Sequence, residues 1–170
     1  SSAGLWGYNT GDTVKFTSIS PYRIIVTGRL KQSLSAFGEH VIVKEVEQAI
    51  EQAILKTGNT VVEFTVAPRF KSKSLPACHE WFIEFDTQPE KIDYFNDILD
   101  HELQKQNKYY KDLINGKIIS KPMIRKIKKD GFKKYMKSIG KLGGQNKIPK
   151  ISDDRKIAEE LEKLNLIEKF

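Results

Sequence analysis

The sequence contains a single cysteine, Cys78, among 170 residues, so an internal disulfide is excluded. A chain without an internal disulfide fits a reducing compartment, and we therefore expect a cytoplasmic protein. Cys78 lies in a strand-like pattern, which favours a small buried hydrophobic residue over a reactive thiol. The three histidines, His40, His79 and His101, are scattered, and no cysteine or histidine pair has metal-ligand spacing. A zinc site is therefore not predicted.

Long apolar runs are also missing. No stretch is long enough to span a membrane, and no charged and then apolar leader opens the chain. The chain starts on SSAGLWGY, with strand-like aromatic sequence and no polar tail, so we expect a segment of a longer protein. An apolar content of 39% in 170 residues is sufficient for one ordinary globular domain.

Acidic residues become scarce in the second half of the chain. The net charge is +7, and between Lys105 and Lys150 the only acidic residues are Asp112 and Asp130. Such a stretch can attract nucleic acid, an acidic membrane surface or a polyphosphate, or it can simply be a solvated lysine-rich surface. The aromatic pattern and the GxxG clamp of common RNA-binding modules are absent, so nucleic acid is not a favoured partner.

Hydrophobic periodicity predicts an α+β fold, in which an N-terminal β-hairpin leads into a small mixed sheet covered by helices. The hairpin is predicted over Thr13 to Ile19 and Tyr22 to Thr27. Thr60 to Ala67 and His79 to Phe85 should pair as a second hairpin, each strand with one apolar face. The other predicted elements are a helix from Val43 ended by Gly58, a helix over Pro89 to Leu103 that Lys108 to Leu113 extends, a third sheet strand within Ile118 to Ile127, a helix over Phe132 to Ile139, and a final helix capped by Ser152.

Position-specific residues are densest between Tyr8 and Glu47. The stretch runs from YNTGD through a hairpin, a GRLK turn and a loop ending in FGEH to the start of a helix. Asp12 and Arg29 fall at the two base positions of the hairpin, where a carboxylate and a guanidinium can bracket a polar ligand such as a ribose. Each half alone is also ordinary turn chemistry.

The order of YNTGD, GRLK, Gly38 and EVE resembles the carboxy-terminal core motifs of the adenylate-forming superfamily. Together, RIIVTGRLKQSLSAFGEHV and a late GGQNKIPK are most similar to the acyl acid amido synthetases, the auxin-conjugating Gretchen Hagen family, in a bacterial form. The resemblance implies the small mobile domain of a ligase that uses ATP and Mg²⁺ to adenylate a carboxylic acid and transfers the acyl group to an amino acid amine. It assigns residues 1–12 to the end of a large N-terminal domain and residues 13–170 to the mobile domain.

The resemblance also implies roles for residues near the hairpin. Asp12 would accept hydrogen bonds from the two ribose hydroxyls of the nucleotide. Arg29 would reach the ribose or the phosphates, and Tyr8 would pack near the nucleotide. Lys31 falls where the family has its hinge residue, at which the backbone absorbs a rotation of the domain. A turn aspartate, a surface arginine and a loop lysine are the simpler interpretations of the same residues.

A loop formed by Phe37, Gly38, Glu39 and His40 corresponds to the one that serves the second half-reaction in relatives. Glu39 or His40 could help to deprotonate the acceptor amine, which must lose a proton before it attacks. A loop histidine with a satisfied hydrogen bond is the simpler interpretation.

Lys147, within GGQNKIPK, is the implied catalytic residue for adenylation. Attack of a carboxylate on the α-phosphate builds negative charge, which a lysine on a flexible glycine loop can neutralise when the domain closes. Gly143 and Gly144 would permit the movement. Without the resemblance, Lys147 is one lysine among many, and Asn115-Gly116-Lys117 mimics a motif of several relatives. We prefer Lys147 because its loop lies nearer the end of the chain and carries the pattern that resembles the amido synthetases.

The expected partners are a small carboxylic acid, an amino acid acceptor and the protein's own N-terminal domain, which would bind most of the ATP and Mg²⁺. Neither a membrane nor nucleic acid is an expected partner, and the isolated chain should be inactive. Two alternatives remain: an acyl-CoA or aryl-CoA ligase of the same superfamily, and a non-enzymatic basic module that binds polyanions.

Overall fold

The computed structural model describes residues 4, 6–7, 11–29, 33–73, 75–143 and 146–168. It confirms the predicted α+β fold, with an N-terminal β-hairpin followed by a three-stranded mixed sheet and helices. Two hydrophobic clusters lie on the two faces of this sheet, so the sheet is covered on both sides.

The hairpin consists of β1 (Asp12–Ile19) and β2 (Tyr22–Arg29), joined at a cis Ser20–Pro21 bond. Val14 pairs with Val26 and Phe16 pairs with Ile24, so these four apolar side chains share one face. All four are exposed, between 47% and 66%. The predicted hairpin is therefore present, and its apolar face is left open to solvent.

A short pair of strands connects the hairpin to the rest of the fold. β3 (Ser33–Leu34) and β4 (Val41–Ile42) are antiparallel and lead directly into α1 (Val43–Thr57). The Glu45 side chain accepts a hydrogen bond from the Ile42 N–H at 3.0 Å, at the start of the helix. Gly58 ends α1 in the left-handed conformation, as predicted, with φ +69°.

The sheet has the order β5 (Thr60–Arg69), β6 (Cys78–Thr87), β7 (Met123–Lys126). β5 and β6 are antiparallel, as predicted, and β7 runs parallel to β6. The first face of the sheet carries Trp81 and Ile83 and packs against α1, α2 (Ile92–Gln106) and α3 (Lys108–Asn115). The helix predicted from Pro89 thus begins only at Ile92.

The opposite face of the sheet is also buried, which the alternation of β6 did not indicate. Phe82 on this face packs against α4 (Gly131–Ser138) and α5 (Lys156–Lys163). Glu80 and Glu84 lie on the same face and are only 1% and 5% exposed. Both carboxylates have partners, as a buried charge requires. Three arginine guanidiniums form ion pairs with Glu80, and two backbone N–H groups near the start of α4 donate to Glu84.

Residues 148–152, called the strap below, run beside β5 before α5 begins. The Val66 N–H donates to the Lys150 carbonyl at 3.0 Å, and the Ser152 N–H donates to the Val66 carbonyl at 2.9 Å. Ile151 bridges Val66 in the parallel sense, so the strap extends the sheet at its β5 edge. The prediction that Ser152 caps the last helix is wrong, because Arg155 occupies the N-cap position.

Candidate functional site

The predicted nucleotide-binding residues lie at the open end of the hairpin. Asp12 and Arg29 are direct partners in the antiparallel register of β1 and β2. Gly11, just before Asp12, has φ +72°, a conformation that favours glycine. The side chain of Arg29 lies outside the described part of the chain, as do Tyr8 and Lys31 entirely. The backbone therefore brings the predicted carboxylate and arginine positions together.

The predicted catalytic residue, Lys147, is exposed and lines an open cavity of about 360 Å³. Charges of both signs surround this cavity. Apart from Lys147, the charged lining residues are Glu63, Glu84, Asp130, Lys133 and Lys141. Glu84 is already bonded to backbone N–H groups, so it is committed to the fold. Lys147 and two further lysines therefore line the cavity together with the carboxylate of Asp130.

Residues 140–147 are called the Lys147 loop below. The strap holds the C-terminal end of this loop close to β5. The Thr65 hydroxyl donates to the Pro149 carbonyl at 2.7 Å. The Lys150 ammonium forms an ion pair with Glu63 and lies 4.7 Å from the centre of the Phe64 ring. Gly143, earlier in the loop, has φ +91°, and no atom lies within 4 Å of the place that a Cβ would take there. The loop is thus anchored at its exit and open around Gly143.

The acceptor loop, residues 35–40, connects β3 to β4. Gly38 has φ +91°, and its N–H donates to the Ser35 carbonyl at 3.1 Å, which closes a tight turn. His40 is exposed, and its Nδ1 lies 2.8 Å from the Ser35 hydroxyl. The ring of Tyr109 approaches His40 edge-on, with 6.3 Å between ring centres. His40 is thus accessible to a solvent-borne acceptor.

Glu39 lies in the same loop but is fully buried. Its Oε2 accepts a hydrogen bond from the Phe37 N–H at 2.8 Å, and its Oε1 lies 2.9 Å from His79 Nε2. Both carboxylate oxygens are thus occupied by groups of the domain itself. Of the two residues considered for deprotonating the acceptor amine, His40 is the one that solvent reaches.

His79 is the residue that the sequence analysis missed at this site. It is fully buried on β6, stacks against Phe37 with 6.3 Å between ring centres, and lies 5.1 Å from the ring of Tyr110. A signal was available, because His79 shares the inward-facing phase of Trp81 and Ile83. The histidine therefore connects the acceptor loop to the core.

Two buried groups beside His79 have altered acidity. Burial, and then the Asp100 carboxylate, raises the pKa of Tyr110, whose hydroxyl donates to Asp100 Oδ1 at 2.9 Å. Burial likewise raises the pKa of the Cys78 thiol to about 11. The prediction that Cys78 is a buried residue is confirmed.

The two candidate loops lie at opposite ends of β5. Lys147 shares its cavity with Val62, near the start of the strand, whereas Phe37 contacts Phe70, just beyond its end. The strand between these points is roughly 20 Å long. A hydrogen bond of 2.7 Å from the Ser35 N–H to Asp153 Oδ1 ties the acceptor loop to the residue that follows the strap.

Within the described residues, no group of three or more histidine, cysteine, aspartate or glutamate side chains is arranged to hold a metal ion. Among the same residues, none of the helices has the length and apolar character needed to cross a bilayer.

A known protein family resembles this chain in sequence, and solved structures resemble it in fold. A family model described as the GH3 family C-terminal domain matches residues 44–156. No curated protein sequence matches. The solved structure of "GH3.15 acyl acid amido synthetase" has a TM-score of 0.73 at 19% identity, and the match covers 98% of this chain and 32% of that one. "AtGH3.15 acyl acid amido synthetase in complex with 2,4-DB" has a TM-score of 0.68, also at 19% identity, covering 98% and 31%. This likeness shows a shared fold, and this chain spans about a third of those proteins.

Proposed function

This chain belongs to the GH3 family through its C-terminal domain, and on that basis we propose that it is the lid of an ATP-dependent acyl acid amido synthetase. The whole enzyme would activate a carboxylic acid as an acyl-adenylate and then transfer the acyl group to the amine of an amino acid. The observation that carries the proposal is the position of the Lys147 loop and the acceptor loop at opposite ends of β5.

In the adenylation step, Lys147 would supply positive charge. Attack of the substrate carboxylate on the α-phosphate increases the charge on the phosphate oxygens and on the departing pyrophosphate. An ammonium group at an exposed loop can meet that charge when the lid closes over the nucleotide, and water is then excluded from the contact. The exposure of Lys147 at the edge of an open cavity suits this role.

In the transfer step, the other end of the domain would face the reacting atoms. Loops separated by roughly 20 Å of strand cannot both contact one phosphoester group, so the two half-reactions would need two orientations of the lid. A rotation about Lys31 would replace the Lys147 loop with the acceptor loop. His40 would then be placed to receive a proton from the incoming amine.

The hairpin suits a partner within the same protein. An exposed face formed by Val14, Phe16, Ile24 and Val26 is unusual for a surface in contact with water. The related structures contain about twice as much further chain, since the match covers 32% of the first of them. We propose that this face packs on the large N-terminal domain, with the domain boundary after β2 rather than after Asp12. Asp12 and Arg29 would then lie beside the nucleotide at the hinge.

The large domain would also bind most of the ATP and Mg²⁺, and Mg²⁺ would help to neutralise the phosphates. This chain alone would be folded but inactive. A cytoplasmic location and a bacterial origin remain predictions. The acceptor distinguishes this function from that of a CoA ligase, so product formation with amino acids and with coenzyme A decides between them.

The test is Lys147→Ala in the intact protein. We expect ATP–pyrophosphate exchange, measured across a panel of carboxylic acids, to fall roughly 100- to 1,000-fold, as when one charge-stabilising group is removed. Transfer from preformed acyl-adenylate to amino acids should remain largely intact, because it does not use that lysine.

Lys117→Ala is a matched control, because Lys117 is an exposed lysine in the similar Asn-Gly-Lys turn after α3. It should leave both half-reactions unchanged. Equal loss of exchange and transfer in Lys147→Ala would remove the lysine from its proposed role. Salt-sensitive binding of arbitrary duplex DNA, without any exchange activity, would favour the basic binding module instead.

A further inference from the structure

We propose that Lys150 and Glu63 are positioning residues for adenylation, which fix the place from which Lys147 reaches the nucleotide. This inference rests on the proposed function, because it concerns the same lysine. Neither Lys150 nor Glu63 would touch the substrate. Their role would be to hold the end of the Lys147 loop so that the ammonium of Lys147 arrives in register when the lid closes.

The backbone provides the first part of the argument. Between Lys147 and the strap there is no intervening residue, since Ile148 follows directly and is buried against the second hydrophobic cluster. The strap is then bonded to β5 through the Val66 N–H and carbonyl and through the Thr65 hydroxyl. A slip of the strap along β5 would therefore move Lys147 by the same distance.

The side chains provide the second part. The buried side chains of Ile148 and Ile151 already restrict the register of the strap, and the side chain of Lys150 adds a further constraint. Here the Lys150 ammonium is held by Glu63 on one side and by the face of the Phe64 ring on the other, at 4.7 Å from its centre. Lys150 and Glu63 are both partly buried, with 29% and 25% of their side chains exposed. Consecutive residues of β5 thus fix one position of the strap.

The geometry of the reaction makes this position important. Displacement of a catalytic group by about 1 Å can lower a rate by roughly 100-fold, even when the change lies away from the reacting atoms. The Lys147 loop contains Gly143 in a left-handed conformation, with open space where a side chain would be, so the described part of the loop has little packing there to correct a shift. The anchor at its exit is therefore the feature that sets where Lys147 points.

The experiment compares Lys150→Met, Glu63→Gln and Lys150→Arg in the intact protein. Lys150→Met keeps most of the length of the side chain without its charge. It should lower the rate of ATP–pyrophosphate exchange by up to about fivefold, which corresponds to the roughly 1 kcal/mol that a partly exposed pair contributes. Transfer from preformed acyl-adenylate should stay within about twofold, because the acceptor loop lies at the other end of β5. Glu63→Gln should have the same effect in smaller measure. Lys150→Arg should recover exchange, since a guanidinium can bond Glu63 and stack on Phe64.

Amide hydrogen exchange supplies a readout that does not depend on activity. In Lys150→Met and Glu63→Gln, peptides covering residues 140–152 should exchange faster, whereas peptides of β6 should be unchanged. Lys163→Met is the matched control, because Lys163 forms a comparable but exposed pair with Glu160 at 3.2 Å on α5. It should alter neither pyrophosphate exchange nor the protection of residues 140–152.

The outcomes separate this inference from the proposed function. If Lys147→Ala abolishes pyrophosphate exchange while Lys150→Met leaves it unchanged, the positioning role is wrong and the proposed function stands. If Lys147→Ala leaves exchange unchanged, the proposed function is wrong, whatever happens at Lys150. If Lys150→Met lowers exchange and transfer equally, the pair merely supports folding and the positioning role is overturned.

Discussion

The acceptor loop and the Lys147 loop are held in opposite ways. The acceptor loop is attached through the fully buried carboxylate of Glu39, which contacts the buried side chain of His79 on β6. The Lys147 loop is attached through a partly exposed ion pair between Lys150 and Glu63 at the sheet edge. The acceptor loop is fixed by a buried group within its own turn, whereas the ion pair that holds the Lys147 loop lies at the loop's exit.

The difference follows from what each attachment costs to break. A buried charge without its partner is strongly destabilising, so the turn around Glu39 has essentially one arrangement. A partly exposed pair contributes at most about 1 kcal/mol, because water can replace either partner. Under the proposed function, the acceptor loop would present a preformed surface for the amine, whereas the Lys147 loop could adjust as the lid closes.

The largest expected effect is that of Glu39→Ala. Removal of the carboxylate leaves His79 and the Phe37 N–H without their partner, and we expect the free energy of unfolding to fall by about 3–5 kcal/mol. Urea denaturation measures this loss. Glu39→Gln keeps an acceptor oxygen at the same place, so it should lose clearly less.

Lys150→Met gives the other side of this comparison. It should lower the free energy of unfolding by less than about 1 kcal/mol, as for other partly exposed pairs. Equal losses in Glu39→Ala and Lys150→Met would show that the two loops are held with similar strength, and the distinction drawn between them would be wrong.

The next effect concerns Tyr110, which packs on His79 beneath the acceptor loop. Its pKa is raised in the folded protein by burial and by Asp100. Above about pH 10 the tyrosine therefore ionises in the unfolded chain and stays protonated in the folded one. The unfolded state then binds fewer protons than the folded state, so raising the pH favours unfolding. We therefore expect the free energy of unfolding to fall by about 1.4 kcal/mol per pH unit above that point.

Tyr110→Phe removes that contribution while keeping the ring. At neutral pH it should lose about 1.5–3 kcal/mol, because the hydrogen bond is made to a buried carboxylate, that of Asp100. Denaturation at a series of pH values between about 9 and 11.5, on either side of the ordinary tyrosine pKa, should give a shallower decline for the variant than for the native sequence. Parallel curves would mean that Tyr110 does not stay protonated in the folded state.

Local patterns in the sequence were sufficient for much of the fold. Alternation around Ser20-Pro21 predicted the first hairpin, and the same period in β5 and β6 predicted their antiparallel pairing. Gly58 predicted the end of α1, because glycine readily adopts the positive φ that a helix end requires. These features depend on neighbours within a few residues, which is why they can be deduced from one sequence.

Features that depend on distant partners were missed. Glu39 resembles any loop glutamate until His79, on another strand, is placed against it. Glu80 looks like the wet side of β6 until α4 and α5 cover that face. Its carboxylate is then paired with Arg125 of β7 and with Arg155 at the start of α5. A charged residue in an alternating strand is normally exposed, so its burial is visible only after the layers are assembled.

The smallest expected effect gives the most direct comparison of the two loops, because each loop contains a glycine in the same conformation. Gly38 and Gly143 both have φ +91°, and neither has an atom within 4 Å of the position that a Cβ would take. The local strain from an alanine is therefore the same at both positions, about 1–2 kcal/mol if the backbone cannot move. Whatever difference the two variants show must come from how firmly each loop is held.

We expect Gly38→Ala to lose that full amount of unfolding free energy, because the turn is fixed by the buried Glu39 and by the hydrogen bond from the Gly38 N–H to the Ser35 carbonyl. Gly143→Ala should lose less than half as much, because the Lys147 loop can shift to a conformation with negative φ. Urea denaturation of both variants, alongside Gly58→Ala as a second fixed site with φ +69°, measures the difference. A loss at Gly143 as large as that at Gly38 would show that the Lys147 loop is as rigid as the acceptor loop. Lys147 would then reach the nucleotide through movement of the whole lid rather than of its own loop.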